Sequence, residues 1–354
     1  MKPDYGTRLA RVREQMQHDE VQAALIVLPA NVRYLTGFTG EGYLVVGLER
    51  ALIATDGRYQ VEAGEVADIA EACCDNGGHL AGALAFVNDV QPSGLAFEAE
   101  HLTYATHQEL AEKLSLVLQP TRRLVEQLRL IKDETEAAAI REAARRADVA
   151  LGAFLAELRP GTSERRLALA LQAALADQDV EPGFPIIMAS GPSAAQPHAV
   201  PGSRLLADGD MLKIDMGARF EGYCSDLTRT IFVGEPTDRF REVYGLVLQA
   251  QEAAVAAARP GLVARELDQV ARDLIVAGGY GAEFGHGLGH GVGLQVHEGP
   301  RVSSKSEDVL ASGMVITIEP GIYVEGWGGV RIEDTVLMTE TGSEVLTQFP
   351  KAAY

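Results

Sequence analysis

Apolar residues recur along the first 125 positions in short runs that alternate with polar, helix-like stretches. An amphipathic pattern predicts a helix over Tyr5–His18. The apolar run VQAALIVL follows, and then YLVVGL and ALIAT, which a turn at Glu49 and Arg50 joins as a pair of strands. Further on, GLAFEA and LSLVLQ alternate with helical stretches. This order predicts an α/β unit built on a mixed sheet with flanking helices.

The pattern changes near residue 125, where alanine-rich segments predict longer helices. In LIKDETEAAAIREAA, Asp133 followed by Glu136 predicts a capping box at the start of a long helix. A chain of 354 residues also suits two domains better than one. We therefore predict an N-terminal α/β domain at 1–125 and a second domain at 126–354. The first carries no catalytic motif, and we interpret it as a docking or dimerisation domain.

Two strand-like segments of the second domain contain carboxylates at otherwise apolar positions. KIDMGARFEGYCSDLTRT alternates like a half-buried hairpin that turns at Phe220 and Glu221. With the turn centred there, Asp215 pairs directly with Asp226. Opposed like charges destabilise a hairpin, so we expect a positive group between them. Taken alone, each aspartate is more readily interpreted as a solvated strand residue or a turn breaker.

A second segment, VITIEPGIYVEGWGGVRIEDTVLM, repeats this arrangement around a turn at Gly326. Glu319 and Glu333 are equally distant from that glycine, so they too are predicted to face each other. Arg331 precedes Glu333 by two residues and therefore lies on the same face of its strand. Two hairpins with opposed acidic pairs indicate one shared site.

A weak internal repeat connects the two hairpins. RPGTSERRL begins at Arg159 and RPGLVAREL at Arg259; each follows an alanine-rich helical run, opens another, and precedes one acidic hairpin. Arg-Pro-Gly alone would indicate only the end of a helix. Together with the hairpins it predicts a duplicated unit of helix, corner, helix and hairpin, whose halves face each other so that four carboxylates converge.

The stretch GHGLGHGVGLQVHEGP has glycine at every odd position from 285 to 293. Because each glycine costs a helix roughly 1 kcal/mol relative to alanine, the segment is predicted to be an extended strand or loop. It then carries His286 and His290 on one side, and its bare other side lets a second backbone come close. His297 falls on the opposite parity and is expected from the following loop. A lone histidine in a strand is more often a core residue, but three within one short stretch favour a functional role.

Composition narrows the class of protein. A net charge of −19 and a pI near 4.8 disfavour nucleic acid or an anionic membrane surface as a partner, since such binding relies on basic patches. We find neither a membrane-spanning apolar run nor a signal-peptide core. Cys73, Cys74 and Cys224 form no disulfide framework, so we expect a cytoplasmic location.

With these motifs assembled, the second domain resembles the pita-bread metallopeptidases of the creatinase/aminopeptidase superfamily. That family includes methionine aminopeptidase, Xaa-Pro aminopeptidase, Xaa-Pro dipeptidase and the metal-free creatinase. LIKDETEAAAIREAA and the N-terminal unit are similar to the proline-specific branch, so the resemblance covers essentially the whole chain. It implies an α+β pita-bread domain with an internal pseudo-twofold duplication. It also implies five metal ligands, within KIDMG, SDLTRT, GHGVG, TIEPG and RIEDT: Asp215, Asp226, His290, Glu319 and Glu333.

The chemistry of these residues agrees with the resemblance. Four carboxylates and one imidazole make an oxygen-rich site that suits Mn²⁺ and tolerates Co²⁺ or Zn²⁺. Four negative charges match two divalent ions, which together polarise a carbonyl and activate water. The family pattern implies that Asp226 and Glu333 bridge the ions, that Asp215 holds one, and that His290 with Glu319 holds the other. Glu319 also handles the proton of the attacking water.

Four further residues carry over from the resemblance as catalytic residues. His198, in AAQPHAVPGSRLLADGD, matches a histidine near the scissile carbonyl or leaving group. His297 matches the histidine that marks proline-directed members and contacts the carbonyl oxygen as the tetrahedral intermediate forms. His286 and Arg331 resemble residues that orient the ligands.

Substrate-binding roles are less specific. Arg301, after HEGP, is either the partner of a substrate carboxylate or an ordinary surface arginine, and Tyr223 either lines the pocket or packs across strands.

The resemblance implies peptides with proline in second position as substrates, and we favour the aminopeptidase over the dipeptidase. The N-terminal domain and His297 argue against a methionine aminopeptidase, and the intact ligands argue against a metal-free enzyme or binding module. A homodimer is expected by resemblance.

Overall fold

The computed structural model describes residues 3–74 and 77–351, and the chain divides into two units, Met1–Arg129 and Leu130–Tyr354. The helices of the first unit are α1 Tyr5–His18, α2 Pro29–Thr36, α3 Gln60–Glu65, α4 His79–Val90, α5 Tyr104–Lys113 and α6 Glu126–Arg129. Its strands are β1 Ala23–Ile26, β2 Tyr43–Gly47, β3 Ala51–Thr55, β4 Glu71–Cys74, β5 Gly94–Glu98 and β6 Val117–Thr121.

These six strands form one mixed sheet in the order β4-β3-β2-β1-β5-β6. Strand β2 runs antiparallel to both β1 and β3, and the outer pairs are parallel. Helix α4 packs Leu84 and Val87 against Leu25 and Val45 of the sheet. The predicted mixed α/β sheet is confirmed, and the bounds of α1 agree with the amphipathic pattern.

The second unit combines four long helices with hairpins and two small helical turns at 191–195 and 281–283. Its helices are α7 Glu134–Ala156, α8 Glu164–Ala176, α9 Asp238–Ala257 and α10 Ala264–Ala277. The strands of its first half are β7 Glu181–Pro182, β8 Ile187–Ser190, β9 Met211–Met216, β10 Ala218–Phe220, β11 Tyr223–Cys224 and β12 Leu227–Phe232. Those of its second half are β13 Gly289–Gly291, β14 Glu298–Val302, β15 Val315–Ile318, β16 Gly321–Val324, β17 Gly328–Arg331, β18 Asp334–Met338 and β19 Ser343–Val345.

Helix α7 begins with the predicted capping box. The Asp133 carboxylate accepts from the backbone N–H of Glu136 at 2.9 Å, and the Glu136 carboxylate accepts from the N–H of Asp133 at 3.0 Å. The N–H groups of Asp133 and Glu136 are thereby paired reciprocally, which fixes where the helix starts.

The internal duplication is visible at both Arg-Pro-Gly corners. Gly161 and Gly261 have φ of 84° and 83°, a conformation that favours glycine. Their N–H groups donate to Leu206 and Leu310 at 2.7 and 2.8 Å. Each corner opens a helix, and each half contains a three-strand core, β8-β9-β12 in one and β13-β15-β18 in the other. Helices α7 and α8 cover the first core, and α9 and α10 cover the second.

The second acidic hairpin has the predicted register. Gly321 pairs with Arg331 and Ile318 with Asp334, so Glu319 and Glu333 lie opposite each other between those pairs.

The register predicted for the first hairpin is wrong by two residues. Phe220 pairs with Tyr223, and Asp215 pairs with Thr228 rather than with Asp226. The turn residues are Glu221 and Gly222, with φ of 47° and 87°, the left-handed pair that a two-residue hairpin loop requires. A shift by two preserves the alternation, so Asp215 and Asp226 remain on the same face.

The last described residues are fixed to the back of this hairpin. Buried Arg229 donates to the Asp334 carboxylate at 2.8 Å and to the carbonyl of Phe349 at 2.7 Å. Lys351 reaches the same carboxylate at 2.7 Å.

Among the described residues, no helix is long and apolar enough to span a bilayer.

Candidate metal centre

The two acidic hairpins are held together by threonine hydroxyls. Alternation places Asp226 and Thr228 on one face of the first hairpin, and Glu333 and Thr335 on the facing side of the second. The N–H of Asp226 donates to Thr335 Oγ1 at 3.0 Å, and Thr228 Oγ1 donates to Glu333 Oε2 at 2.5 Å. The N–H of Glu333 donates to the Thr228 carbonyl at 3.1 Å. The carboxylates of both halves therefore meet at one seam.

Asp226, His290 and Glu333 come closest together. Each offers one ligand atom, and these three atoms all lie within 4.8 Å of one another. His290 Nε2 is 3.8 Å from Asp226 Oδ2 and 3.4 Å from Glu319 Oε1. Three of the five predicted ligands thus surround one point, and a fourth, Glu319, adjoins His290.

Hydrogen bonds fix the orientation of His290. Its Nδ1 lies 3.1 Å from the carbonyl of Gly291, and a carbonyl oxygen only accepts, so Nδ1 carries the proton. The lone pair is then on Nε2, the atom that faces the carboxylates. Thr317 Oγ1 donates to Glu319 at 3.2 Å and accepts from the N–H of His290, joining the two ligands.

Arg331 supplies the positive group expected beside the acids. Its guanidinium donates to Asp215 Oδ2 and to Thr228 Oγ1, the latter at 2.9 Å. It also donates to Tyr323 Oη at 3.1 Å, and that hydroxyl lies 3.0 Å from His286 Nε2. Since Nδ1 of His286 donates to the Gly287 carbonyl, Nε2 accepts from the tyrosine. Arg331, Tyr323 and His286 form one chain beside the ligands.

Burial and mutual repulsion strongly affect ionisation here. Burial, followed by the charges of neighbouring carboxylates, raises the pKa of Asp226 and Glu333 well above the usual range. Burial also raises the pKa of Glu319, despite the opposing charge of Arg331. Burial lowers the pKa of His290 and favours the neutral imidazole that binds metal. The acids are therefore costly to ionise together unless cations lie between them.

Unpaired oxygens support the same conclusion. Asp215 Oδ1 and Asp226 Oδ1 are buried and have no hydrogen-bond partner. A buried carboxylate oxygen left unpaired is unfavourable, and a divalent cation would satisfy it. The donor set, four carboxylates and a neutral imidazole, fits divalent cations.

The predicted catalytic histidines lie around this cluster at different depths. The rings of His297 and His290 are 4.5 Å apart, edge to face, and His297 is exposed. His198 is exposed, and its charge lowers the pKa of both His286 and His297, after burial as the larger cause. His286 is packed behind Tyr323, whose hydroxyl links it by hydrogen bonds to Arg331 beside the ligands.

The two substrate-binding candidates differ. Arg301 pairs with His290 across β13 and β14, so both side chains lie on the same face, and the exposed Arg301 side chain makes no hydrogen bond or ion pair within the described residues. Tyr223 is buried, and its hydroxyl donates to the Glu136 carboxylate at 3.0 Å. Tyr223 therefore packs against the start of α7.

Sequence reasoning missed Tyr323, Thr228, Thr317 and Lys213. Thr228 and Thr317 each stand two residues from a ligand and hence on its face, a signal present in SDLTRT and VITIEP. Tyr323 and Lys213 gain their roles only through contacts with distant segments.

The glycines behind His290 allow the close backbone approach that their spacing predicts. A Cβ on Gly289 would lie 2.1 Å from the Thr317 carbonyl oxygen, and one on Gly291 would lie 1.8 Å from that of Gly299. A Cβ on Gly285 would meet nothing within 4 Å. Glycine is thus required next to the ligand but not at the start of the run.

Comparison with known proteins agrees with this geometry. Residues 138–340 match metallopeptidase family M24, and residues 8–131 match the creatinase/prolidase N-terminal domain. The chain belongs to metallopeptidase family M24.

Individual relatives match this chain over nearly their full length. An Xaa-Pro dipeptidase of Pyrococcus horikoshii is 39% identical over 346 residues, covering 96% of this chain and 97% of its own. The structure of an Xaa-Pro dipeptidase from Bacillus anthracis is 39% identical with a TM-score of 0.96, covering 99% of both chains. That of an X-Pro aminopeptidase from Thermotoga maritima is 34% identical with a TM-score of 0.91, covering 98% of this chain and 99% of its own.

The Gly289→Ala variant of this M24 chain is expected to lose both stability and metal binding. The added methyl group overlaps the Thr317 carbonyl, and overpacking typically costs about 1–3 kcal/mol or more. Gly285→Ala, where space is open, is expected to change stability by less than about 1 kcal/mol. Thermal unfolding and Mn²⁺ titration calorimetry compare the variants. Equal melting temperatures and equal Mn²⁺ affinities would contradict this assignment.

Stabilisation by Mn²⁺ is expected to be larger at pH 8 than at pH 6. Because folding raises the pKa of Asp226, Glu319 and Glu333, their contribution to the stability of the metal-free protein is present at acid pH and is lost as pH rises through the raised values. Metal binding releases those protons and so tightens with pH.

Melting temperatures with and without Mn²⁺ at both pH values measure this effect. Mn²⁺ at a hundred times its dissociation constant contributes about 2.7 kcal/mol, or about 5 to 10 °C in Tm for a unit of this size. The Asp226→Asn/Glu333→Gln variant serves as control and is expected to show neither the shift nor its pH dependence. An identical shift at both pH values in the unaltered chain would refute the pKa argument.

Proposed function

We propose that the protein hydrolyses the peptide bond between an N-terminal residue and a following proline, and that Xaa-Pro dipeptides are its preferred substrates. The carrying observation is the buried convergence of Asp226, His290 and Glu333, with Glu319 and Asp215 adjoining, in a metallopeptidase chain. The Xaa-Pro specificity comes from its full-length relatives.

Substrate length separates two candidates. The sequence alone led us to favour the aminopeptidase. The 39% identical relatives from Pyrococcus horikoshii and Bacillus anthracis are named dipeptidases, and we therefore place the dipeptidase first. The aminopeptidase is the second candidate because of its 34% identical counterpart from Thermotoga maritima.

Five residues would hold two divalent cations, with Asp226 and Glu333 shared, Asp215 on one side, and His290 with Glu319 on the other. Mn²⁺ is the proposed ion, since the set is rich in oxygen. When bound, the ions supply Lewis-acid polarisation of the scissile carbonyl and a lowered pKa for water. The homodimer expected from the resemblance remains a prediction.

Glu319 is suited to moving the proton. Its pKa is raised by burial, which makes its carboxylate a better proton acceptor than that of an exposed glutamate. It accepts the proton of the attacking water as the hydroxyl adds to the carbonyl carbon. It then returns that proton to the proline nitrogen as the carbon–nitrogen bond breaks.

The more accessible residues would bind the peptide. The ring of His297 contacts that of His290, and the charge of His198 acts on His297 and His286; in these places an imidazole N–H would donate to the carbonyl oxygen as negative charge develops on it. Arg301, exposed and on the same face as His290, would pair with the carboxylate of a dipeptide.

The length preference is tested with purified protein and Mn²⁺ on Ala-Pro, Ala-Pro-Ala and a proline-second pentapeptide. We expect kcat/KM to be at least about tenfold higher for Ala-Pro, a ratio that one well-placed ionic contact provides. Ala-Ala is the control for the proline requirement. Equal cleavage of the longer peptides would establish the aminopeptidase instead, and no cleavage of any proline peptide would refute both candidates.

Replacing Glu319 by glutamine is expected to lower kcat by about 10²- to 10⁴-fold, because the amide cannot accept the proton. Glu325→Gln, an exposed glutamate in the same hairpin, is the matched control and should retain activity. Calorimetric Mn²⁺ titration distinguishes loss of proton transfer from loss of metal. A Glu319→Gln protein that binds Mn²⁺ and keeps wild-type kcat would rule out this role.

A further inference from the structure

Lys213 is a fully buried lysine that the proposed reaction does not use. It lies on β9, two residues before Asp215, with none of its surface exposed. Its Nζ is within hydrogen-bonding distance of three backbone carbonyl oxygens: Ala194 at 3.2 Å, Gln196 at 2.5 Å and Pro197 at 3.3 Å. Lysine is almost never fully buried, and burying its amine is unfavourable unless its donors are paired. Here all the acceptors come from one short segment.

The same segment is held by a second basic side chain. Arg331 Nη1 donates to the Pro197 carbonyl at 3.2 Å, so that oxygen accepts from both side chains. Tyr323 joins them, since its ring centroid is 5.0 Å from Lys213 Nζ and its hydroxyl accepts from Arg331. The underside of residues 194–197 is thus bound to the strand that carries Asp215 and to the hairpin that carries Glu333.

Neighbouring backbone makes this packing close. A Cβ on Gly329 of β17 would lie 2.4 Å from the Ala194 carbonyl oxygen. The helical turn Gly191–Ala195 therefore sits directly on the hairpin, and the chain leaves it through Gln196 and Pro197. The next residue is His198, whose side chain is exposed.

We propose that Lys213 is a positioning residue for His198: by binding the carbonyls of residues 194, 196 and 197 it sets where the histidine stands relative to the metal ligands. The inference rests on the proposed function, in which His198 contacts the peptide. The amine keeps two N–H donors even when neutral, so Lys213 is able to bind this segment in either protonation state. Misplacing a reacting group by about 1 Å can cost about 10²-fold in rate.

An effect through Asp215 is the main alternative. Residues 213 and 215 lie on the same face of β9, so a change at one can shift the other. Mn²⁺ affinity distinguishes an effect through Asp215 from an effect through His198, because only displacement of the metal ligand Asp215 would weaken Mn²⁺ binding. Coupling to His198 provides a second separation.

The test compares Lys213→Met, which keeps the aliphatic stem and removes the donors, with Lys213→Gln, which restores two of them. Arg146→Met is the matched control: Arg146 donates to the Gln178 carbonyl at 2.7 Å and lies over the Phe220 ring, but its loop carries no site residue. Hydrogen–deuterium exchange over residues 191–203, Mn²⁺ affinity, and kcat and KM on Ala-Pro are measured for each protein.

We expect Lys213→Met to speed exchange over residues 191–203 and to lower kcat by about 10- to 100-fold with KM and Mn²⁺ affinity nearly unchanged. Lys213→Gln should recover part of the loss, and Arg146→Met should match the unaltered chain. In a His198→Ala background, Lys213→Met should cost no more than about twofold, because the residue it positions is absent.

Unchanged exchange, weakened Mn²⁺ binding, or full additivity with His198→Ala would each overturn the proposal. If Lys213→Met does not fold, the same readouts on Lys213→Gln decide between these outcomes. If the unaltered chain cleaves no proline peptide, the proposed function fails and so does the reading of His198. The exchange data would then report separately whether Lys213 orders the segment.

Discussion

The cost of burying several carboxylates in one place governs the architecture of this chain. Asp226 and Glu333 lie within a few ångströms of each other and are almost fully shielded from water. Burial and repulsion both favour their protonated forms. The hydroxyls of Thr335 and Thr228, both in strands, hold these two residues in place, and buried Arg331 donates to the neighbouring Asp215. Because the fold already holds the ligands in place, cation binding does not have to order them.

Asp215 and His290 lie within strands, whereas Asp226, Glu319 and Glu333 lie in two-residue breaks that the flanking strands hold in place. Each half supplies two carboxylates from its hairpin. His290 comes from β13, which pairs with β15 so closely that only glycine fits at position 289. Behind Glu333, the Arg229–Asp334 pair with Lys351 closes the seam on its far side. Buried pairs of this kind are strongly destabilising to break, so the network resists separation of the hairpins.

Local patterns in the sequence predicted much of this architecture. The capping box at Asp133, the Arg-Pro-Gly corners and the register around Gly326 were predicted correctly because each depends on a few neighbouring residues. The first hairpin failed for a local reason as well. Glu221 adopts a positive φ that is uncommon for glutamate, and this moved the turn by one residue. The faces survived because strand alternation has a period of two.

Other features were beyond any local pattern. Tyr323 acts through His286, which is 37 positions away, and Lys213 binds residues 16 to 19 positions away. Nothing in GIYVEG or MLKID identifies those partners. Tyr223 shows the converse: its position beside a ligand pair suggested a pocket, yet its hydroxyl is taken by Glu136, 87 residues earlier in the chain. Which side chains meet across the seam follows from how the two halves pack, and that packing is a tertiary property.

The duplicated corners at Gly161 and Gly261 bear on how such a protein could have arisen. Neither copy holds enough acidic groups by itself, whereas two copies related by a twofold axis would bring four carboxylates together at their shared boundary. A half-length ancestor that self-associated would therefore already possess the anionic cradle. In one polypeptide, by contrast, a single half can carry an imidazole on a glycine-rich strand, an asymmetry that two identical halves cannot have.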